Sequence, residues 1–321
     1  MNYRSIEDLS HIIRNNLYKI PKDVDLIVGV PRSGMLAANI LAMNLNLQIC
    51  DLPGYLNNTS LMYGRTRQCR YGEVNNPSDA KKVLIVDDSV YSGASITEVK
   101  QKIDSLDGKV CEVIYCAIYT SPDATKKIDI FFEVVKHPRS FEWNVMHRPH
   151  LSRCCVDIDG VLCVDPTDEQ NDDGEAYLEF LENAQPLVIP SCRVGHLVTS
   201  RLEKYREETE KWLSANGVEY EFLHMLDLPS AAARRRLGCH ASFKASVFRK
   251  LHDTELFIES DFQQARKIAT SSGKYALSFG TQELCGPDFS YALVERKSAV
   301  IKLRIIRKIR RVINGVIKND G

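Results

Sequence analysis

The chain has 321 residues, enough for two domains with separate cores, and its hydrophobic (44%) and charged (26%) fractions are ordinary for a globular protein. No apolar run reaches the roughly 18 residues that a membrane-spanning helix needs, and the polar, charged start of the chain is unlike a signal peptide. The net charge of zero is unevenly distributed, since residues 297–318 contain eight basic residues and no acid, whereas residues 1–296 carry 34 basic against 41 acidic residues. The composition therefore predicts a mildly acidic body with a basic tail.

The first half of the chain alternates strand and helix patterns. The predicted elements are a strand at 25–30, a turn at 31–34, a helix at 35–45, a strand at 81–88, a helix at 95–106, and strands at 109–119 and 128–135. Such alternation is typical of an α/β fold with a parallel sheet, helices on both faces, and ligand sites at the carboxyl ends of the strands.

The stretch VLIVDDSVYSGAS (83–95) runs from an apolar strand into two acids and then into a loop of small, hydroxyl-rich residues. The small residues let backbone N–H groups surround an anion, and the hydroxyls of Ser92 and Ser95 can donate to phosphate oxygens. Asp87 and Asp88 would repel a phosphate, but they suit a pair of sugar hydroxyls or a hydrated Mg²⁺. The stretch therefore predicts a site for a sugar phosphate with a free diol.

Residues 83–95 and the turn at 31–34 resemble the signature of type I phosphoribosyltransferases. The resemblance implies that phosphoribosyl pyrophosphate binds together with Mg²⁺, its ribose hydroxyls on Asp87 and Asp88. Its 5-phosphate would lie on the loop of Tyr91, Ser92, Gly93, Ala94 and Ser95, and its pyrophosphate on Arg32, Ser33 and Gly34. A basic loop at 62–72, containing Arg65, Arg67 and Arg70, would close over the reaction, with Arg65 in a catalytic role.

Tyr91 departs from the pattern of the purine-salvage members of that family. Those members commonly carry an acid at this position, where it serves the purine ring. A tyrosine cannot act there as a carboxylate would, so the sequence argues against a purine acceptor.

The second half contains another strand that ends in acids, CCVDIDGVLCV (154–164). An aspartate at the tip of a strand can attack phosphorus as a nucleophile, and an acid two residues later, on the same side of the extended chain, can protonate the leaving oxygen. Asp157 and Asp159 have this spacing. Clustered carboxylates that act on a phosphoryl group need Mg²⁺ to offset their charge.

Residues 153–276 resemble the haloacid-dehalogenase superfamily, because four motifs occur in the required order. The resemblance implies a nucleophile at Asp157, an acid–base at Asp159, phosphate binding by Thr199 and Ser200, and a neutralising Lys244. It implies a Mg²⁺ site formed by Asp157, Asp159, Glu259 and Asp261. The motif spacing leaves room for a lid no larger than 167–182, which suits a bulky phosphorylated substrate, and a helix is predicted at 200–218.

These patterns predict three segments: a phosphoribosyltransferase domain at 1–148, a phosphatase domain at 149–295 with little or no cap, and a basic amphipathic helical tail at 296–321. Both domains are expected to be Rossmann-like and doubly wound. The tail suits the anionic inner face of a cytoplasmic membrane, although docking on the body, a dimer interface or a nucleic-acid contact remain alternatives. Ten cysteines without a C-x-x-C pair are expected to be free thiols in a reducing cytoplasm.

The order of the two domains resembles the bifunctional ribofuranosyltransferases of bacterial polysaccharide assembly, such as that of O-antigen or capsule. This resemblance implies transfer of 5-phosphoribose to a lipid-linked glycan acceptor and then removal of the 5-phosphate, with Mg²⁺ at both sites. The alternatives are phosphoribosyl transfer to a nucleobase coupled to nucleotide dephosphorylation, and a regulatory sensor of phosphoribosyl pyrophosphate. No nucleic-acid partner is expected, and a homodimer stays open.

Overall fold

The structure is a computed structural model that describes residues 1–61, 74–106 and 111–288. These residues form two compact units, Met1–Trp143 and the part of the chain from Asn144 onward. The predicted basic loop, with Arg65, and the predicted helical tail at 296–321 lie outside the described residues. Among the helices that are described, none has the length and apolar character needed to cross a membrane.

The first unit is built on a five-stranded sheet in the order β3-β2-β4-β5-β6, in which all neighbouring strands are parallel. A second, two-stranded parallel sheet joins β1 to β7. The elements in chain order are β1 (Asn2–Arg4), α1 (Ile6–Asn16), β2 (Leu26–Gly29), α2 (Gly34–Leu45), β3 (Gln48–Asp51), α3 (Leu52–Leu56), β4 (Lys82–Val90), α4 (Ala94–Asp104), β5 (Glu112–Thr120), β6 (Ile130–Val134) and β7 (Arg139–Phe141).

This sheet is covered on both faces, as the sequence predicts. Along β4, Val83 and Ile85 join one apolar cluster with the buried residues of α4. Leu84 and Val86, which alternate with them, join the opposite cluster with α1 and α2. Since successive strand residues point to opposite faces, β4 is apolar throughout its first half and is the buried centre of the sheet.

The strand that carries the first pair of acids does not end at them, contrary to the prediction. β4 continues to Val90 because its last two residues pair with Tyr119 and Thr120 of β5. Asp87 and Asp88 therefore lie within the last part of the strand, and their positions are fixed by the sheet. The helix α1 and the strand β3 are additional to the predicted elements.

The second unit contains a six-stranded sheet in the order β10-β9-β8-β11-β12-β13. Neighbouring strands are parallel except β12 and β13, which are antiparallel. The elements are β8 (Cys154–Val156), α5 (Glu175–Asn183), β9 (Val194–Leu202), α6 (Arg206–Ala215), β10 (Tyr220–Leu226), α7 (Ala231–Leu237), α8 (His240–Lys250), β11 (Leu256–Glu259), α9 (Phe262–Ser272), β12 (Tyr275–Ser278) and β13 (Glu283–Cys285).

The central strand β8 lies between β9 and β11, so the chain order reverses across it. Such a switch point leaves a crevice at the carboxyl ends of the strands. The ends of all three strands carry residues that the sequence marks as functional. The predicted helix at 200–218 is shorter than expected, because β9 extends to Leu202 beside β10 and α6 begins only at Arg206.

Candidate functional site

The first candidate site lies at the end of β2 in the first unit, where Gly29 pairs with Val86 of β4 just before the acid pair. Asp88 is held there by two donors: Ser33 Oγ donates to its Oδ1 over 2.7 Å and Trp143 Nε1 donates to its Oδ2 over 2.8 Å. The turn after β2 is thereby attached to the acid pair, and Arg32, which follows a cis peptide bond, is exposed beside it. The sequence predicts the turn and the acids, but not the indole of Trp143.

Asp87 is the acid of the pair whose ionised form its surroundings disfavour. Burial, together with the neighbouring charge of Asp88, raises the pKa of Asp87 to about 8. Neither acid takes part in an ion pair within the described part of the chain. The pair therefore concentrates negative charge that a cation or hydroxyl donors would stabilise.

The loop after β4 is shaped to expose its backbone and its hydroxyls. Gly93 has φ of 80° and precedes α4, and a Cβ placed on it would lie 2.3 Å from a side-chain carbon of Lys127. Lys127 Nζ donates to the carbonyl of Ser92 over 2.8 Å, while Ser92 and Ser95 are exposed at the start of α4. The loop can receive an anion at the N-terminus of a helix. Lys127, which is distant in sequence, has no local pattern that could reveal it.

Tyr91 lies at the edge of this site. It belongs to a wall of aromatic and cationic side chains formed by Tyr91, His137, Arg139, Phe141 and Trp143. Its ring is 57% exposed, with its centroid 5.8 Å from that of His137 and 5.3 Å from the guanidinium carbon of Arg139. Arg139 lies in turn over Phe141, whose ring stacks on Trp143 at 5.1 Å between centroids. The wall continues to the indole that binds Asp88, so the position of Tyr91 is tied to the acid pair.

The second candidate site, in the other unit, has a buried lysine at its centre. Lys244 Nζ contacts Asp157 Oδ2 at 2.6 Å and Glu259 Oε2 at 2.7 Å, and the three side chains are at most 5% exposed. Burial alone would lower the pKa of Lys244, but the two carboxylates raise it overall, so the ammonium stays charged. Burial raises the pKa of Asp157, and Lys244 opposes that shift. Three separate elements bring these side chains together: the end of β8, the helix α8 and the end of β11.

Asp159 is paired with an arginine that the sequence analysis does not single out. Arg201, whose side chain is fully buried, donates from its Nη2 to Asp159 Oδ1 over 2.6 Å and from its Nε to both carboxylate oxygens. Arg201 follows the predicted phosphate-binding residues directly in the sequence, which is the signal that could have identified it. Gly160, with φ of 73°, packs so closely on Ser260 that a Cβ would lie 2.5 Å from that side chain.

A cavity of 210 Å³ opens above these residues. Asp157, Asp159 and Lys244 line it, and so does Ser200. Thr199, by contrast, is fully buried, and its hydroxyl accepts from the backbone N–H of Arg201 over 3.1 Å. Of the two hydroxyls predicted to bind phosphate, the structure therefore places Ser200 at the cavity.

Two segments of the chain cover the cavity: the segment between β8 and β9, and the one that contains α7. Asn171 and Tyr177 come from the segment between β8 and β9, in which α5 overlaps the predicted lid at 167–182, and Arg234 comes from α7. Arg234 Nη2 donates to Asn171 Oδ1 over 3.0 Å, and Asp173 Oδ2 accepts from the N–H of Ala231 over 3.0 Å. The two segments are joined into one small cover.

The acids of the cavity have the donor chemistry that Mg²⁺ prefers. Asp157, Asp159 and Asp165 line it, and burial raises the pKa of Asp165, with further contributions from Asp159 and Glu259. In residues 1–61, 74–106 and 111–288, however, no three His, Cys, Asp or Glu side chains are grouped as a metal site. Glu259 is engaged by Lys244, and Asp261 accepts from the N–H of Gln264 at the start of α9. Asp157, Asp159 and Asp165 line the cavity without forming such a group, and the predicted set of Asp157, Asp159, Glu259 and Asp261 stays a prediction.

Comparison with known proteins concerns the first unit. Residues 2–151 match the model of the phosphoribosyl transferase domain. No curated protein matches the chain. Similar solved structures include the purine phosphoribosyltransferase of Pyrococcus horikoshii (19% identity, 44% of this chain and 92% of that chain, TM-score 0.31) and the xanthine-guanine-hypoxanthine phosphoribosyltransferase of Helicobacter pylori (17%, 45% and 93%, 0.34). The orotate phosphoribosyltransferase of Aeropyrum pernix is similar at 15% identity over 40% of this chain and 72% of that chain, with a TM-score of 0.27. The N-terminal part of this chain, residues 2–151, thus matches the phosphoribosyl transferase domain family.

Proposed function

We propose that the protein adds a ribofuranosyl group to a bacterial glycan in two steps. The first domain transfers 5-phosphoribose from phosphoribosyl pyrophosphate to an acceptor hydroxyl, and the second unit removes the 5-phosphate. The observation that supports the second step is the buried Lys244 between Asp157 and Glu259, beside the Asp159–Arg201 pair, at the end of the central strand. The strand order around β8 supports a haloacid-dehalogenase-like fold for this unit.

In the first step, Asp87 and Asp88 accept hydrogen bonds from the ribose hydroxyls, and the loop at 91–95 holds the 5-phosphate. Mg²⁺, when bound, would offset the charges of these acids and of the pyrophosphate. The bond from the anomeric carbon to pyrophosphate breaks, and Arg32 and Arg65 stabilise the leaving anion. The acceptor oxygen enters from the opposite face and forms the new bond while its proton passes to solvent, which gives a β-ribofuranoside 5-phosphate.

In the second step, Asp157 attacks the 5-phosphate and forms an aspartyl phosphate as the bond from phosphorus to the ester oxygen breaks. Asp159, which takes up a proton from solvent when it leaves Arg201, gives that proton to the ester oxygen and then takes one from the water that hydrolyses the aspartyl phosphate. Asp159 must exchange its contact with Arg201 for the leaving oxygen to do so. Asp157, Asp159 and Asp165 would hold Mg²⁺, which supplies charge compensation for the phosphoryl group. Lys244 opposes the rise in the pKa of the nucleophile and holds that side chain in place.

A glycan acceptor is favoured over a purine by the residue at position 91. Tyr91 offers an exposed ring rather than a carboxylate, and its neighbours His137 and Arg139 extend that surface. An exposed aromatic ring suits the apolar face of a sugar. A lipid-linked acceptor would bring the protein to the cytoplasmic face of a membrane, where we propose that the basic segment at 297–318 binds.

The test is to incubate the full-length protein with phosphoribosyl pyrophosphate, Mg²⁺ and a panel of glycan acceptors and free nucleobases, and to follow the products by mass spectrometry. We expect a glycan that gains an unphosphorylated pentose. The Asp157→Asn variant should instead accumulate the phosphorylated product, and Asp88→Asn should yield neither. Products formed only on nucleobases would replace the glycan proposal with nucleobase transfer. Unphosphorylated ribose made by Asp157→Asn would refute the assignment of the nucleophile.

A further inference from the structure

Arg234 is a buried arginine in the cover of the second cavity. It lies on α7, is 6% exposed and lines the cavity. Its Nη1 donates to the carbonyl of Ser200 over 2.9 Å, and its Nη2 donates to Asn171 Oδ1 over 3.0 Å. The guanidinium is therefore fixed from two sides, by the end of β9 and by the lid segment.

Two polar groups at this point have no hydrogen-bond partner among the described residues. They are Arg234 Nε and Ser200 Oγ, and Ser200 is 8% exposed. An unsatisfied buried donor costs free energy, and such groups are usually paired with protein or water. Because both residues line the same cavity as Asp157, the two donors are available to one ligand there.

The chemistry of this pair indicates an anion. A guanidinium and a hydroxyl both donate to phosphate oxygens, and an arginine that is already oriented loses little freedom on binding. The side of the cavity beside Arg234 includes Tyr177. Burial raises the pKa of Tyr177, while Arg201 and Arg234 act in the opposite direction. His240 also lines the cavity, and burial, Arg234 and Lys244 lower its pKa. Arg234 thus presents positive charge opposite the aspartates at the base of the cavity.

We propose that Arg234 binds the phosphoryl group of a phosphate monoester in the second cavity, donating from Nε to an oxygen that Ser200 Oγ also contacts. This inference rests on the proposed phosphatase function and deepens it, because it assigns a substrate-binding residue outside the four motifs. The lid segment takes part through Asn171, which holds the guanidinium in its binding orientation.

The test measures the binding of inorganic phosphate to the full-length protein in Mg²⁺ by isothermal titration calorimetry, independently of turnover. Arg234→Gln should weaken phosphate binding about tenfold to a hundredfold, as expected for the loss of a hydrogen bond to a charged group. Arg236→Gln, an exposed neighbour on the same helix, is the matched control and should bind as the native protein does. Asn171→Ala should give a smaller loss, because it leaves the guanidinium in place but less well held.

Equal phosphate affinity in Arg234→Gln and Arg236→Gln would overturn the inference, as would a native protein that does not bind phosphate at millimolar concentration. If Arg234→Gln fails to fold, as judged by circular dichroism, Arg234→Lys decides in its place: a weakening of at least fivefold supports the inference, and native affinity overturns it. Hydrolysis of phosphate esters is measured in parallel. If phosphate binding depends on Arg234 but no ester is hydrolysed, the inference stands and the phosphatase proposal is refuted. If esters are hydrolysed and Arg234→Gln does not change that hydrolysis, the phosphatase proposal stands and the inference is refuted.

Discussion

Lys244 should contribute more to the stability of the second unit than any exposed charge, because it is the cation between two buried carboxylates. Replacing it by methionine keeps most of its volume and leaves Asp157 and Glu259 facing each other without a counter-charge. Removal of one partner from a buried ion pair costs about 3–5 kcal/mol. The folded variant can reduce that cost by taking up a proton on one carboxyl.

The free energy needed to protonate that carboxyl determines how large the loss of stability is and how it depends on pH. A carboxyl with an ordinary pKa near 4 is protonated at pH 7 at a cost of about 4 kcal/mol, and at pH 5 at a cost of about 1.4 kcal/mol. In the variant the folded-state pKa of Asp157 is raised further above its unfolded value, so the folded state binds more protons than the unfolded state. Stability is then lost as pH rises, and the deficit of Lys244→Met should grow from about 1.4 kcal/mol at pH 5 to about 4 kcal/mol at pH 7.

The assay is urea unfolding followed by tryptophan fluorescence in a Trp143→Phe background. The chain has two tryptophans, so the remaining Trp212, buried in the second unit, reports on that unit alone. Lys250→Met, an exposed change on the same helix, is the control and should shift stability by no more than about 0.5 kcal/mol. A Lys244→Met deficit that equals the control, or that does not change between pH 5 and pH 7, would refute this reasoning.

Three further predictions concern the first domain. Trp143→Phe removes a donor to the carboxylate of Asp88 and should weaken binding of phosphoribosyl pyrophosphate about tenfold or more, measured by calorimetry, whereas Trp212→Phe should leave that binding unchanged. Asp87 has a folded-state pKa of about 8, above its unfolded value, so its carboxylate destabilises the fold increasingly as pH rises from about 4 to 8. Asp87→Asn should therefore be more stable than the native protein at pH 8 but not at pH 4. An equal difference in stability at both pH values would contradict this. Gly93→Ala should lose about 1–2 kcal/mol of stability at its positive φ, with weaker donor binding, and a native melting temperature would count against the prediction.

Much of the framework follows from local patterns in the sequence. Apolar runs of strand length, broken by small-residue turns, identify β2 and β4, and helical patterns identify α2 and α4. These elements recur in the structure because a buried parallel strand and an amphipathic helix each have a local periodicity. The rule that parallel strands bear ligand sites at their carboxyl ends then brings Asp157 and Glu259 to one edge.

The residues that complete the sites could not be found in this way. Trp143, Lys127 and Arg234 reach their sites from segments separated by tens of residues from the groups they contact, and no periodicity records which loop packs over a crevice. Arg201 differs, because it directly follows the predicted phosphate-binding residues. What the sequence does not show is that its side chain is buried against Asp159. Local patterns predict where a crevice opens, whereas long-range packing decides which side chains cover it.

The two sites differ in how their acids are compensated, and this difference bears on what each can bind. In the second site Lys244 contacts Asp157 and Glu259, and Arg201 contacts Asp159, so two buried cations face three acids there. In the first site Asp87 has no such partner among the described residues, and its pKa rises to about 8. That pair requires its positive charge or its hydroxyl donors from the ligand, as a diol accompanied by a divalent cation would provide. The charge pattern is therefore consistent with the proposed roles of the two sites, because among the described residues only the second site supplies its own cations to its acids.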